Sequence, residues 1–300
     1  MDDKVPKKAY LALAVGVLCI GTSAIFVKLA STPGTVSAFY RMFFAGMALF
    51  PIRLTQNNLS LPSGKVLRLI ALGGLVYAAN LAVWNTAILL TSAAAATLLS
   101  NNSPLWVGLG AMLIFREKLS LKYWLGLLIA LGGMFIILGG NAFQELQFNP
   151  GDLLAIVASV LYAAYMLITQ KARARTDTLT LNLLTMLTST IVLLPVVLFF
   201  GHQFTGFNTR TWMALLGLGL IPQFLGWLVI NYAMGYLPAA RVSVILLGQP
   251  VVTAILGIVL LQEALSPATI TGGIMVMIGI YLVNQRTKTK SAPDAYTKPA

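Results

Sequence analysis

The chain has 300 residues, 58% of them hydrophobic and only 9% charged, and its mean hydropathy of +0.85 lies outside the range of soluble globular chains. A formal charge of +12 would suit a nucleic-acid partner, but the basic residues alternate with apolar stretches instead of forming one patch, so nucleic acid is set aside as a partner. Cys19 is the only cysteine, which excludes an intramolecular disulfide.

A helix crosses the hydrocarbon of a bilayer with about 20 apolar residues. Ten stretches qualify: 10–30, 35–53, 67–89, 92–115, 122–140, 152–171, 178–200, 211–234, 239–261 and 268–284. The first follows a Lys-rich start, lacks a small-residue cleavage site and is followed by nine more, so it is read as retained. With the N-terminus placed inside, 17 of the 20 Lys and Arg fall on that side. Lys28 and Arg210 lie opposite, and Arg41 lies within the second span. By the positive-inside rule both termini are cytoplasmic.

In chain order, the second span carries Arg41, the only charge well inside a predicted span. It lies ~9 Å from the outer end at 1.5 Å per residue. Its side chain could snorkel to the interface, or it could face a cavity and attract an anionic group such as a substrate carboxylate. The third span carries Tyr77, Leu81, Trp84 and Asn85. The fourth contains "LLSNNSPLW" (98–106), with Pro104 removing a backbone hydrogen bond. Helical spacing places Thr97, Ser100 or Asn101, Pro104 and Gly108 on one face, with Asn102 and Ser103 pointing elsewhere. The sixth span offers Tyr162 and Tyr165, the eighth Gln223, Trp227 and Asn231, and the ninth Gln249 before Pro250. Each polar group has two readings: lining for a solute, or interhelical hydrogen bonding. The Trp and Tyr side chains are equally open to an interfacial role.

A shift of 146 residues lays Asn85 on Asn231, Ala87 on Ala233, Pro104 on Pro250, Glu117 on Glu263, Gly126 on Gly272 and Gly133 on Gly279. Tyr77, Leu81 and Asn85 then overlay Gln223, Trp227 and Asn231. The expected organisation is a tail (1–9), a first five-helix repeat (10–140), an outside linker (141–151), a second repeat (152–285) and a tail (286–300). Five spans per copy is an odd number, so the second copy enters the membrane from the opposite face, an inverted duplication. Interrupted helices at matching positions point to a solute site near the bilayer midplane. "SNNSP" (100–104) and "LLGQP" (246–250) are such a pair.

The run "AILLTSAAAATLLSNNSPLW" (87–106), "SAFYR" (37–41), Glu117 with "KLS", the "GLLIALGG" run at 126–133, and "AMGYLPAARVS" (233–243) with Pro250 and "EALS" (263–266) resemble the EamA family of the drug/metabolite transporter superfamily. Ile20-Gly21 and Arg116 before Glu117 depart from its common pattern. The resemblance implies an all-α integral membrane protein of ten helices in two inverted repeats. It also implies export of amino acids or related metabolites from a bacterial cytoplasm, in the cell inner membrane. Nucleosides and drug-like solutes fit the same amphipathic lining, and a non-transporting scaffold is the other class of reading.

All eight carboxylates lie in tails, loops or span ends, and His202 lies in a loop. With no HExxH, no paired intramembrane acids and no phosphate loop after a strand, the chain is not read as an enzyme. No cofactor or metal is implied, and facilitated diffusion or exchange is favoured over a buried proton relay. The expected partners are the bilayer and a small organic solute, with a carboxylate on it if Arg41 is part of the site. An oligomer is not required, because five helices per half can enclose a pathway.

Overall fold

The computed structural model describes residues 6–56, 61–91, 93–138, 149–261 and 266–285. The tail at 286–300, most of the expected 141–151 linker, the start of the N-terminal tail and Glu263 lie outside them. Every regular element among the described residues is helical: α1 (Lys7–Gly21), α2 (Ser23–Ala30), α3 (Gly34–Leu54), α4 (Gly64–Leu90), α5 (Ala93–Ser100), α6 (Ser103–Ile114), α7 (Leu121–Leu138), α8 (Pro150–Arg173), α9 (Thr178–Phe199), α10 (Thr209–Leu218), a π-helical stretch (Gly219–Gly226), α11 (Trp227–Ala233), α12 (Ala239–Leu246), α13 (Gln249–Leu261) and α14 (Pro267–Asn284). Eight segments among them are long and apolar enough to cross a membrane, and Leu121–Ile137 is a shorter apolar helix. The expected 92–115 span is two short helices, α5 and α6. The protein is an all-α, multi-pass membrane protein.

The chain divides into two compact units, each drawing on both halves of the sequence. Among the described residues, the first takes those up to Ala82 and those from Ile168 to Leu237, and the second those from Val83 to Leu167 and from Pro238 onward. Within the first, α3 and α9 run against each other, with Gly46 facing Met186 and Leu187 and Arg53 Nε donating to Thr180 Oγ1 at 2.9 Å. Ser189 Oγ donates to the Gly74 carbonyl at 2.9 Å, so a hydroxyl ties α9 to α4. Val66, Ile70, Ala172 and Leu181 form a buried cluster. Asp177 starts α9 by accepting from the Thr180 amide at 2.9 Å, the preferred chemistry for an N-cap. Burial pushes the Asp177 carboxyl up, but hydrogen bonds from the Thr180 side chain and amide and the charge of Arg53 outweigh it and hold the group below the ordinary 3.8.

Within the second unit, α7 and α14 pack antiparallel at backbone distance. A Cβ on Gly126 would lie 2.7 Å from the Gly279 carbonyl, and one on Gly133 would lie 2.5 Å from the Gly272 carbonyl. Only glycine allows this approach. In the 146-residue register Gly272 is the counterpart of Gly126, and Gly279 that of Gly133. Each glycine therefore packs on the counterpart of the other, the reciprocal pattern that a two-fold produces. These contacts are suggestive of an internal repeat. Elsewhere in the unit, Thr91 Oγ1 donates to Asp152 Oδ1 at 2.7 Å, while Asp152 and Asn149 exchange backbone-to-side-chain bonds at the start of α8.

Two outcomes follow. Gly133→Ala places a methyl 2.5 Å from one backbone oxygen and 2.7 Å from the Val276 nitrogen, and is expected to cost about 1–3 kcal/mol. Gly132→Ala, whose Cβ meets only the Met275 methyl at 3.4 Å, is expected to cost less than about 0.5 kcal/mol. Thermal unfolding of both in detergent checks the pair, and equal stabilities would remove the close approach. Asp177→Ala is expected to lose about 1 kcal/mol. Because the folded carboxyl is held low, that difference is fully present above the ordinary carboxylate value and shrinks as pH falls through the folded one, which a pH series of melting curves reads directly.

Candidate functional site

The first unit brings four of the expected residues together. Arg41 on α3 donates from Nε to Gln223 Oε1 at 2.5 Å, and the Tyr77 hydroxyl on α4 lies 3.5 Å from the same oxygen. The Tyr77 ring meets the Trp227 ring edge-on, centroids 5.6 Å apart. Tyr77, Gln223 and Trp227 are 2–3% exposed, and Arg41 is half-buried. The guanidinium is thus turned inward onto a neutral amide. Nε takes the amide oxygen, and among the described residues no carboxylate bonds to the Nη groups, the fork that recognises carboxylates.

Gln223 reaches this place because the helix around it is not regular. Pro222 has no N–H to give to an α-helical turn, and Gly219 and Gly226 flank it without side chains. The backbone widens into a π-helical stretch, Gly219–Gly226, a form found mostly as local insertions at functional positions. Gly219 sits under the Phe44 Cβ and Gly226 beside Cys19, so α3 and α1 close on the widened turn. Tyr77 and Gln223 are also counterparts in the 146-residue register. Two counterparts that touch each other lie where a two-fold axis would pass within this unit.

The amides expected in the second unit do something else. The chain breaks between α5 and α6 at Asn101 and Asn102, and Pro104 stands in the first turn of α6. The Thr97 carbonyl accepts from the Asn101 amide at 3.0 Å, from Asn101 Nδ2 at 2.8 Å and from Ser100 Oγ at 3.1 Å. Asn102 Nδ2 donates to the Leu98 carbonyl at 3.4 Å. The Asn102 amide turns to the Leu99 carbonyl at 3.3 Å, so the Asn102 side chain serves a Leu98 carbonyl that the break leaves without its helical partner, while Asn101 and Ser100 add side-chain bonds to a Thr97 carbonyl that keeps its own. Because the helix breaks there, one face does not continue from Thr97 to Gly108 as helical spacing predicts. The Tyr123 hydroxyl bonds to the Pro104 carbonyl at 3.3 Å and covers Gly108.

Gln249 and Pro250 open α13 after a turn at Leu247 and Gly248, and both are half-buried. Trp84 and Tyr162 are half-buried, while Tyr165 is 2% exposed and lies 6.3 Å from the Tyr162 ring. Asn231, fully buried, donates from Nδ2 to Asn182 Oδ1 at 2.9 Å, and its carbonyl accepts from Arg173 Nε at 2.8 Å. That is the helix-packing reading of Asn231. Arg173, one of the basic residues used above to orient the chain, is only 3% exposed and closes the same end of the unit. Pro222 has no proline counterpart 146 residues earlier, so matched interruptions do not mark the π-helical stretch; its signal in the sequence is Pro222 with Gly219 and Gly226 within one turn on either side.

Among the described residues no group of three or more His, Cys, Asp or Glu could hold a metal ion. The EamA-like transporter family model matches this chain twice, over residues 7–139 and 149–285. The chain belongs to the EamA-like transporter family. A relative of this EamA-like transporter from Archaeoglobus fulgidus, an uncharacterized transporter, is 29% identical over 93% of this chain and 98% of its own. Another from the same organism is 25% identical over 90% and 94%. A protein of Streptantibioticus cattleyicolor named a probable terminal-alkyne amino-acid exporter is 26% identical over 65% of each chain. A solved structure, 20% identical, superposes with a TM-score of 0.80 over 93% of this chain and 96% of its own, and shows the same fold. The protein is a multi-pass membrane transporter of small molecules.

Gln223→Leu removes the acceptor of Arg41 Nε and is expected to cost about 1.5–3 kcal/mol, the range for hydrogen bonds to charged groups. Arg41→Met together with Gln223→Leu removes donor and acceptor at once, and its cost is expected to fall well below the sum of the single changes. A double-mutant cycle by thermal unfolding in detergent checks the coupling.

Proposed function

We propose that this EamA-like transporter exports amino acids or related carboxylate-bearing metabolites by alternating access, with Arg41 as the group that receives the carboxylate. The observation that carries the reading is Arg41 itself, a half-buried guanidinium within α3, oriented through Nε by Gln223. A fixed cation in a low-dielectric setting attracts an anionic group strongly. Gln223 is the positioning residue. Tyr77 and Trp227 supply an aromatic wall with polar tips for the rest of the solute. Thr97, Ser100, Asn101, Gln249, Trp84, Tyr162 and Tyr165 are the further candidates for solute contact, with Pro104 and Pro250 as the interruptions about which the helices bend.

The proposed frame has ten crossings in two inverted five-helix repeats, 10–140 and 152–285, with both termini cytoplasmic and the protein in the cell inner membrane. It is supported by the double family match, by the reciprocal glycine packing of α7 on α14 and by the one-sided distribution of Lys and Arg. The name of the Streptantibioticus protein supports the choice of amino acids as the solute class.

Comparing metabolites inside and outside cells with and without the gene selects the solutes for reconstitution into vesicles. Arg41→Ala is expected to slow transport of a carboxylate-bearing solute at least about tenfold, the loss of one charge-assisted pair, while transport of the corresponding amide changes little. Arg41→Lys retains part of the activity, because the charge survives without the fork. Unchanged kinetics for Arg41→Ala at equal protein level would refute the assignment.

A further inference from the structure

In the proposed repeat the two copies keep step from α5 onward. α5 and α12 begin at Ala93 and Ala239, α6 and α13 at Ser103 and Gln249, and α7 and α14 at Leu121 and Pro267, each pair 146 residues apart. Earlier in each copy the separation is one residue shorter. α4 and α10 begin at Gly64 and Thr209, 145 apart, and two glycines at that same separation make equivalent contacts. A Cβ on Gly74 would lie 2.9 Å from the Thr185 carbonyl oxygen and 2.7 Å from the Thr188 Cβ on α9, and one on Gly219 would lie 3.4 Å from the Arg41 carbonyl oxygen and 2.6 Å from the Phe44 Cβ on α3. Tyr77 follows its glycine by three residues and Gln223 by four, whereas Tyr77 to Asn85 and Gln223 to Asn231 are both eight. The second copy therefore carries one additional residue among Leu220, Ile221 and Pro222.

The π-helical stretch is where that residue is housed. A turn closed from i to i+5 takes one residue more than an α-turn, and the Ile221 carbonyl oxygen stands 3.5 Å from the Cβ position of Gly226, five residues on. Both ends of the stretch are pinned, Gly219 on α3 and Gly226 on α1, where a Cβ would lie 3.1 Å from the Cys19 Cβ. Leu220, Ile221 and Leu225, 39–40% exposed, are on the open side. Between pinned ends the additional residue can pass along the helix by exchanging i→i+5 bonds for i→i+4 bonds one at a time, a movement that strands no run of carbonyls in hydrocarbon. With that residue ahead of Gln223, the amide meets Arg41 and Tyr77. With it behind, Gln223 is turned from them by about 100°, the angle of one residue.

We propose that the stretch is a two-position switch acting on Arg41; the proposal rests on the reading of Arg41 as the group that receives the solute carboxylate. In the first position Gln223 holds the guanidinium inward through Nε. In the second Gln223 lets go, and the Arg41 side chain extends toward the outer interface ~9 Å away, taking the carboxylate with it. The inward and snorkelled orientations of Arg41 are then successive states of one transport cycle.

Deleting Leu220 restores the spacing of the first copy and leaves no residue to move. Hydrogen exchange of the full chain in detergent, read by mass spectrometry, follows the stretch directly. In the wild type the amides of 219–226 are expected to exchange at least about tenfold faster than those of α10 and α11, and in the deletion variant to slow to the rate of their neighbours. This measurement involves no solute, so it stands or falls apart from the carboxylate assignment, and its wild-type half needs no shortened chain to fold. In vesicles the deletion variant is expected to keep its affinity for the carboxylate-bearing solute and to lose at least about tenfold in transport rate, whereas Arg41→Ala loses affinity. Wild-type exchange in 219–226 no faster than in the flanking helices would overturn the switch, as would full-speed transport by the deletion variant. Loss of affinity together with rate on deletion would also overturn it, leaving the additional residue a positioning element alone.

Discussion

Hydrocarbon offers no hydrogen bonds, so every polar group within it must find its partner in the chain. That constraint explains why two of the interruptions of regular helix described above are surrounded by particular side chains. At the break after α5 the Leu98 carbonyl, which the Asn102 backbone amide leaves for Leu99, is taken by the Asn102 side chain. At Pro222 the backbone widens and the charged neighbour on α3 turns its Nε onto Gln223. A break without such donors would leave carbonyls stranded at a cost of several kcal/mol each. The polar residues of the spans therefore answer first to the backbone, and only what they have left over is available to a solute.

This ordering separates the two polar clusters. Asn101 and Ser100 direct donors at Thr97, and their service to the broken helix is local. Arg41 serves no carbonyl of its own helix through Nε; its partner is 182 positions away in sequence. A guanidinium has five donors, and a single amide oxygen engages one of them. The first unit thus holds donor capacity in excess of what its own fold consumes, which is the property a recognition site needs.

Much of this was legible in the sequence, for identifiable reasons. Span positions follow from apolar runs because the bilayer imposes their length. Pro104 and Pro250 mark helix starts, because a proline in the first turn gives up only an N–H that has no helical partner there. What could not be read was direction. The 3.6-residue pattern placed Thr97, Asn101 and Gly108 on one face, but a pattern that assumes an unbroken helix fails at the residues that break it. Arg41 admitted two orientations because snorkelling and inward bonding differ only in the partner, and Gln223 is remote in sequence. Tyr77 and Gln223 overlay each other in the repeat register, yet overlay does not say that counterparts touch; that depends on where the pseudo-two-fold falls.

In the proposed frame the duplication supplies balance and the substitutions supply direction. Under the proposed inverted arrangement, exchanging the conformations of the two repeats turns an inward-open state into an outward-open one of equal backbone energy. Any preference between them must come from positions where the copies differ. In the 146-residue register Arg41 corresponds to Leu187, Asn101 to Leu247 and Ser100 to Leu246. At these three positions the polar residue lies in the first copy, while the glycines that let α7 and α14 meet are kept in both. Packing positions preserve the symmetry that makes the two states interconvertible. Under the same proposal Arg41 breaks it, so that the energy of binding an anion would not be shared equally between the two states, and a ligand with differential affinity is what shifts such an equilibrium.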